Sequence, residues 1–280
     1  MTTTGGWSAS AVNGTELRGD TGTGWYLYGI TRCGMAAGSA VDVGPIELLE
    51  LAGVAAVVRR VPLTDFGDAV LQKRLANESE LESMVRGHNG VIEAIHARQA
   101  ILPARFGMVY AHVADIVAVL QSASDLLLRE LDRLAECDEW AVHLYADRSI
   151  VRGDVALGSP AIRRLGEQAA VARPGRAYFL ERQLRHELES ATAQQLTDIA
   201  QSAFERLSGS SIAALSNGSG AVADTTDEVE ILRAAFLVAR EAAASFATEV
   251  TAAADLSAGL RIECTGPWPP YSFVTGGEHG

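Results

Sequence analysis

The chain has 280 residues, 48% of them apolar, and a formal net charge of −12 at pH 7. That is room for one large or two ordinary domains around a real hydrophobic core. The acidic balance, with no basic stripe or polybasic cluster, argues against a nucleic-acid-binding or membrane-surface protein.

Cys33, Cys137 and Cys264 are odd in number and far apart, so neither a disulfide framework nor a paired zinc spacing follows. No apolar run approaches the roughly 18 residues of a membrane span. The expectation is a soluble protein of the cytoplasm. Residues 1–24 are rich in Thr, Ser and Gly and read as a disordered leader, because they bury too little to offset the entropy of ordering.

Residues 25–30 (WYLYGI) read as the first strand, and a short helical segment is expected near 45–51. Residues 54–61 form a nearly continuous apolar, β-branched run ending at Pro62, as in a strand covered on both faces. Thr64 and Asp65 can cap a short helix. From about 78 to 99, Leu81, Met84, Val85, His88, Val91, Ile92 and Ile95 fall on one helical stripe. Residues 101–106 (ILPARF) read as a short edge or bulged strand, since Pro103 cannot donate to a ladder. A second strong helix follows over 115–134.

Residues 140–145 (WAVHLY) alternate again and open a second unit. After two Gly/Pro breaks around a charged helical piece, a long helix is expected over 175–207, then a strand at 211–215 and a polar turn at 216–227. Residues 228–238 favour a strand, although helix stays open there. Residues 241–256 are alanine-rich and helical. Leu260, Ile262 and Cys264 alternate with polar residues in a last strand, stopped by Gly266-Pro267. The second unit then has the order β-α-β-β-α-β of a ferredoxin-like sandwich, and the first a decorated version of it. The expected organisation is an α+β chain with a first domain over 25–137 and a second over 138–280, the latter including an aromatic and proline-rich tail.

Catalytic motifs fail on inspection. His186-Glu187 begins like a zinc-protease helix, but Ser190 stands where the second ligand would be. Gly218-Ser219-Gly220 resembles a dinucleotide loop, but Asp224, Asp227 and Glu228 follow, where a pyrophosphate would be repelled. No metal or cofactor set emerges. Two groups keep two readings each. His88, Glu93 and Arg105 are either an acid/base cluster holding an anion or a histidine at a packed edge beside paired charges. Trp268, Tyr271 and Phe273, stiffened by Pro269 and Pro270, are either a ligand cage or peptide groove, or a tail packed over a sheet. His143 has no partner readable from sequence.

Several stretches in this order resemble the gas vesicle protein F/L family. They are YLYGI at 26–30, VVRRVP at 57–62, His88 with Val91 and Glu93, LPARFG at 102–107 and EWAVHLYAD at 139–147. GRAYFLERQ at 175–183, AFLV at 235–238 and TGPWPPYSF at 265–273 complete the set. The resemblance covers about residues 25–273. It implies a two-domain α+β accessory protein, not an enzyme, needed for vesicle formation and binding the hydrophobic shell subunit, other gas vesicle proteins, or both. Partner-binding or inter-domain roles are expected for His88, Glu93, Arg105, Phe106, Trp268, Tyr271 and Phe273. The shell subunit is expected to bind the N-terminal domain, near the strand at 101–106, with the tail locking the domains together. The alternative is a small-molecule enzyme or ligand-sensing module built on His88, Glu93 and Arg105.

Overall fold

The structure, a computed structural model, describes residues 22–34, 45–66, 76–218 and 228–274. The expected leader and most of the 216–227 turn lie outside them. The described residues through Cys137, with those from Trp268 onward, form one compact unit, and Asp138–Pro267 form the other. The aromatic tail, read from sequence as part of the second domain, is thus counted with the first. Phe273 is only 5% exposed, and its carbonyl accepts from the Arg133 guanidinium.

In the first unit, β1 (Thr23–Arg32), β2 (Glu47–Leu51), β3 (Val54–Pro62), β4 (Ile101–Pro103) and β5 (Val109–Tyr110) make a sheet ordered β2-β3-β1-β4, with β5 also on β1. Its pairings are antiparallel. The helix expected near 45–51 is the strand β2. Ala52 and Gly53 both have positive φ, which matches the right-handed twist of a two-residue hairpin and zips β2 onto β3. Strand pairing outweighs the modest helix preference of the sequence ELLEL.

Val54, Ala55, Ala56, Val57 and Val58 are all fully buried, so both faces of β3 are covered as the apolar run predicts. Val57 and Val61 pack with Tyr26, Tyr28 and Ile101 against Val91, Ile92 and Ile95 of α1 (Glu78–His96). Asn77 caps that helix, its side chain accepting from the Glu80 amide. A second helix, α2 (Val113–Arg133), packs on β1, β2 and β3 and buries Ile116, Leu120, Leu127 and Leu131. The strand expected over 101–106 ends at Pro103, and 104–108 form a loop. Gly29 lets β1 and β4 approach closely: a Cβ there would lie 2.6 Å from the Leu102 carbonyl.

The second unit runs β6 (Cys137–Asp147), α3 (Arg148–Gly158), α4 (Pro160–Val171), α5 (Pro174–Ser208), β7 (Ala213–Ser216), β8 (Glu228–Ala239), α6 (Ala243–Ala254) and β9 (Leu260–Trp268). The sheet order is β7-β8-β6-β9, the ferredoxin-like arrangement, with the extra helices α3 and α4 in the first crossover. Asp147 and Ser159 cap α3 and α4, and Pro160 opens α4, where its missing N–H costs nothing. Val142, Leu144, Phe236, Val238, Phe246 and Leu207 sit in one buried cluster between sheet and helices. The 228–238 segment is a strand.

The last strand runs past Gly266-Pro267 to Trp268 rather than stopping before it. Gly266 has φ +147°, and a Cβ there would meet the Glu139 carbonyl at 2.9 Å and the Trp140 ring at 3.0 Å. Only glycine passes so close to β6 at that angle.

Candidate functional site

His88 lies on the sheet-facing side of α1, 4% exposed, enclosed by aromatic rings. Tyr28 stacks on it at 5.6 Å between centroids, while Tyr26 and Phe106 meet it edge to face at 5.7 and 5.6 Å. The carbonyl of Ala104 can only accept, so His88 Nε2, 3.3 Å away, carries the ring proton. His88 Nδ1 then accepts from the Tyr26 hydroxyl at 2.9 Å, and Tyr26 Oη accepts from the Gly107 amide at 3.1 Å.

The result is one hydrogen-bond chain, Gly107 to Tyr26 to His88 to Ala104, that ties the 104–107 loop to β1 and α1. Burial pushes the Tyr26 phenol up to about 12 and lowers the His88 pKa, partly opposed by the Ala104 hydrogen bond. Both groups are therefore neutral near pH 7, with every proton of the chain assigned. The arrangement holds shape rather than moving a proton.

Beside it is a cavity of about 420 Å³, lined by Tyr26, Tyr28, Arg59, Asp65, His88 and Phe106 among others. Neither Glu93 nor Arg105 lines it. Glu93 is exposed and lines a different groove, along α1 with Glu78, Leu81 and Glu82. The structure thus brings His88 and Phe106 together but does not join His88, Glu93 and Arg105 as an acid/base cluster. In the tail, Phe273 is buried with Pro269 and Pro270, whereas Trp268 and Tyr271 are 41% and 36% exposed. None of the tail aromatics lines either hollow.

Sequence reasoning missed both partners of the histidines. Tyr26 is 62 residues from His88; the one signal that could have found it is the i, i+2 aromatic pair Tyr26 and Tyr28, which share one face of β1. His143 on β6 finds Glu230 on β8 at 2.6 Å, 87 residues away. Arg233 also holds Glu230, and on the same sheet Arg261 lies 4.0 Å from the Tyr145 ring centre and bonds Glu228. Burial tends to raise Glu230, but the Arg233 and His143 hydrogen bonds outweigh it and hold the carboxyl below its usual range. Among the described residues, no group of three or more His, Cys, Asp or Glu is placed to hold a metal ion. Nor is any helix among them long and apolar enough to cross a membrane.

Two α+β units with antiparallel sheets, the second ferredoxin-like, define a two-domain sheet-and-helix protein without an assembled catalytic centre among the described residues. A family model described as gas vesicle synthesis protein GvpL/GvpF matches residues 24–275, and the chain belongs to that family. It is 30% identical over 256 residues to gas vesicle protein L of Streptomyces sp. (strain CB03234), covering 89% of this chain and 92% of that protein. Gas vesicle protein F of the same strain is 26% identical over 262 residues, covering 89% and 98%. The crystal structure of GvpF from Anabaena sp. PCC7120 superposes with a TM-score of 0.68 at 21% identity, covering 90% of this chain and 98% of that one. GvpF from Microcystis aeruginosa gives 0.61 at 19%, with the same coverage. These two show the shared fold. The family is one of gas vesicle proteins, not of enzymes.

Proposed function

We propose that this protein acts in the cytoplasm during gas vesicle assembly, binding the hydrophobic shell subunit and other gas vesicle proteins through its first unit. The observation that carries the reading is the β2 edge. Among the described residues β2 is an outer strand of its sheet, paired with β3 alone, and Leu48, Leu49 and Leu51 on it are half-buried. An outer strand offers unpaired amide and carbonyl groups beside apolar side chains, and an incoming segment of a shell-forming protein can add to it as a further strand. The 101–106 segment expected to serve this way is less suited, because Ile101 and Leu102 are turned into the core. A partner that covers apolar shell surface before assembly keeps that surface from aggregating.

The test is co-expression of the tagged full chain with the shell subunit. The wild type retains the subunit, and the double variant Leu49→Lys/Leu51→Lys loses it while still unfolding as one cooperative transition in denaturant. No retention by the wild type overturns shell binding. Equal retention by both proteins overturns the assignment to β2.

A further inference from the structure

The second unit carries an exposed aromatic and arginine-rich surface outside its buried core and outside the β2 edge proposed to bind the shell subunit. All the buried residues of α5 (Thr192, Ile199, Ala203 and Leu207) lie in its C-terminal part, while its N-terminal part packs on α4 as a helical hairpin. At the end of that hairpin Phe179 is 69% exposed, Tyr178 57% and Val171 87%. Tyr178 and Phe179 meet edge to face at 5.8 Å. A face that only meets water has no use for two adjacent aromatic rings.

The charges point the same way. Arg163, Arg164, Arg173, Arg176, Arg182 and Arg185 are all exposed, and none is in an ion pair among the described residues. By contrast, Arg148 and Arg152 on α3 both reach Glu189. Contrary to the expectation of no basic cluster, residues 163–185 hold six arginines against Glu167 and Glu181, a charge of +4, so the rest of this −12 chain carries −16. Tyr178, Arg182 and Arg185 follow at i, i+4 and i+7 along α5, one continuous stripe. Arginine and tyrosine are the residues that dominate protein interfaces.

The chain also carries a complementary surface. On α1, Leu81 and Val85 are half-buried in a groove of about 570 Å³ rimmed by Glu78, Glu82 and Glu93. Arg86, the one cation among the described residues lining it, already pairs with Glu82. We propose that the Arg/aromatic face of the α4–α5 hairpin of one copy docks on this acidic groove of a second copy. The two patches differ, so the contact is heterologous: each copy keeps one free hairpin and one free groove, and association continues head to tail. The −16 on the rest of the chain disfavours a nucleic-acid occupant, whose phosphates it would repel.

Sedimentation of the full-length protein tests this. The mass rises with concentration at low salt and returns to monomer in about 1 M salt, where the Debye length is about 3 Å. Phe179→Ser/Arg182→Ser and, separately, Glu82→Gln/Glu93→Gln each weaken association about tenfold or more. Mixing the two variants restores a dimer, because one still has an intact groove and the other an intact hairpin. A wild type that stays monomeric at every concentration overturns the proposal, as does a mixture no larger than its components. Binding of a labelled single-stranded RNA by the hairpin without self-association also overturns it.

Discussion

His88 and His143 each sit on a sheet-and-helix unit, each with a partner more than sixty residues away, yet they do opposite jobs. His88 is packed among three aromatic rings, with both nitrogens satisfied by neutral groups. His143 lies on the polar face of the second sheet, part-exposed, against a carboxylate that an arginine also holds. The same side chain is a structural fixture where water is excluded and a replaceable surface contact where it is not. What separates them is desolvation, which makes an unmet hydrogen bond costly only in the first place.

The largest expected effect follows from that difference. His88→Ala should cost about 2–4 kcal/mol of folding stability in denaturant unfolding, since it opens a hole among the rings and strands the Tyr26 hydroxyl. A loss below about 1 kcal/mol would mean the 104–107 loop is held by something else. Tyr26→Phe keeps the ring but leaves the Gly107 amide and His88 Nδ1 without their partner, and should cost about 1–3 kcal/mol.

Acid separates the two sites further. Burial lowers the His88 pKa below its usual 6.5, so the unfolded chain takes up a proton that the folded ring refuses. Stability from His88 is whole above about pH 6.5 and declines as pH falls toward 5; His88→Gln should flatten that part of the profile. Glu230, held below its usual 4.5, contributes stability that is lost only at lower pH, as the folded carboxyl takes up its proton. His143→Gln, the smallest effect, should move stability by about 1 kcal/mol, the usual worth of a part-buried side-chain hydrogen bond. A larger change would make the polar sheet face a structural element in its own right.

Much of the architecture was legible beforehand because it is written in local periodicity. The seven-residue stripe of α1, the apolar run of β3 and the β-α-β-β-α-β order of the second unit each need only neighbours along the chain. Where a local rule competed with a distant partner, the reading failed. The segment 45–51 became β2 because Ala52-Gly53 turned it back onto β3, and β9 ran on through Gly266-Pro267.

The sites followed the same division. Residue types alone marked His88 and the tail aromatics as unusual, and the family resemblance came from stretches spread along the chain. Only the tertiary structure could decide that Tyr26 and the Ala104 carbonyl occupy both nitrogens of His88, that Glu93 opens onto a different groove, and that Phe273 is counted with the first unit. Periodicity records which face of an element is buried. Which groups meet on that face depends on strand order and register, and those are settled by contacts between segments the chain keeps far apart.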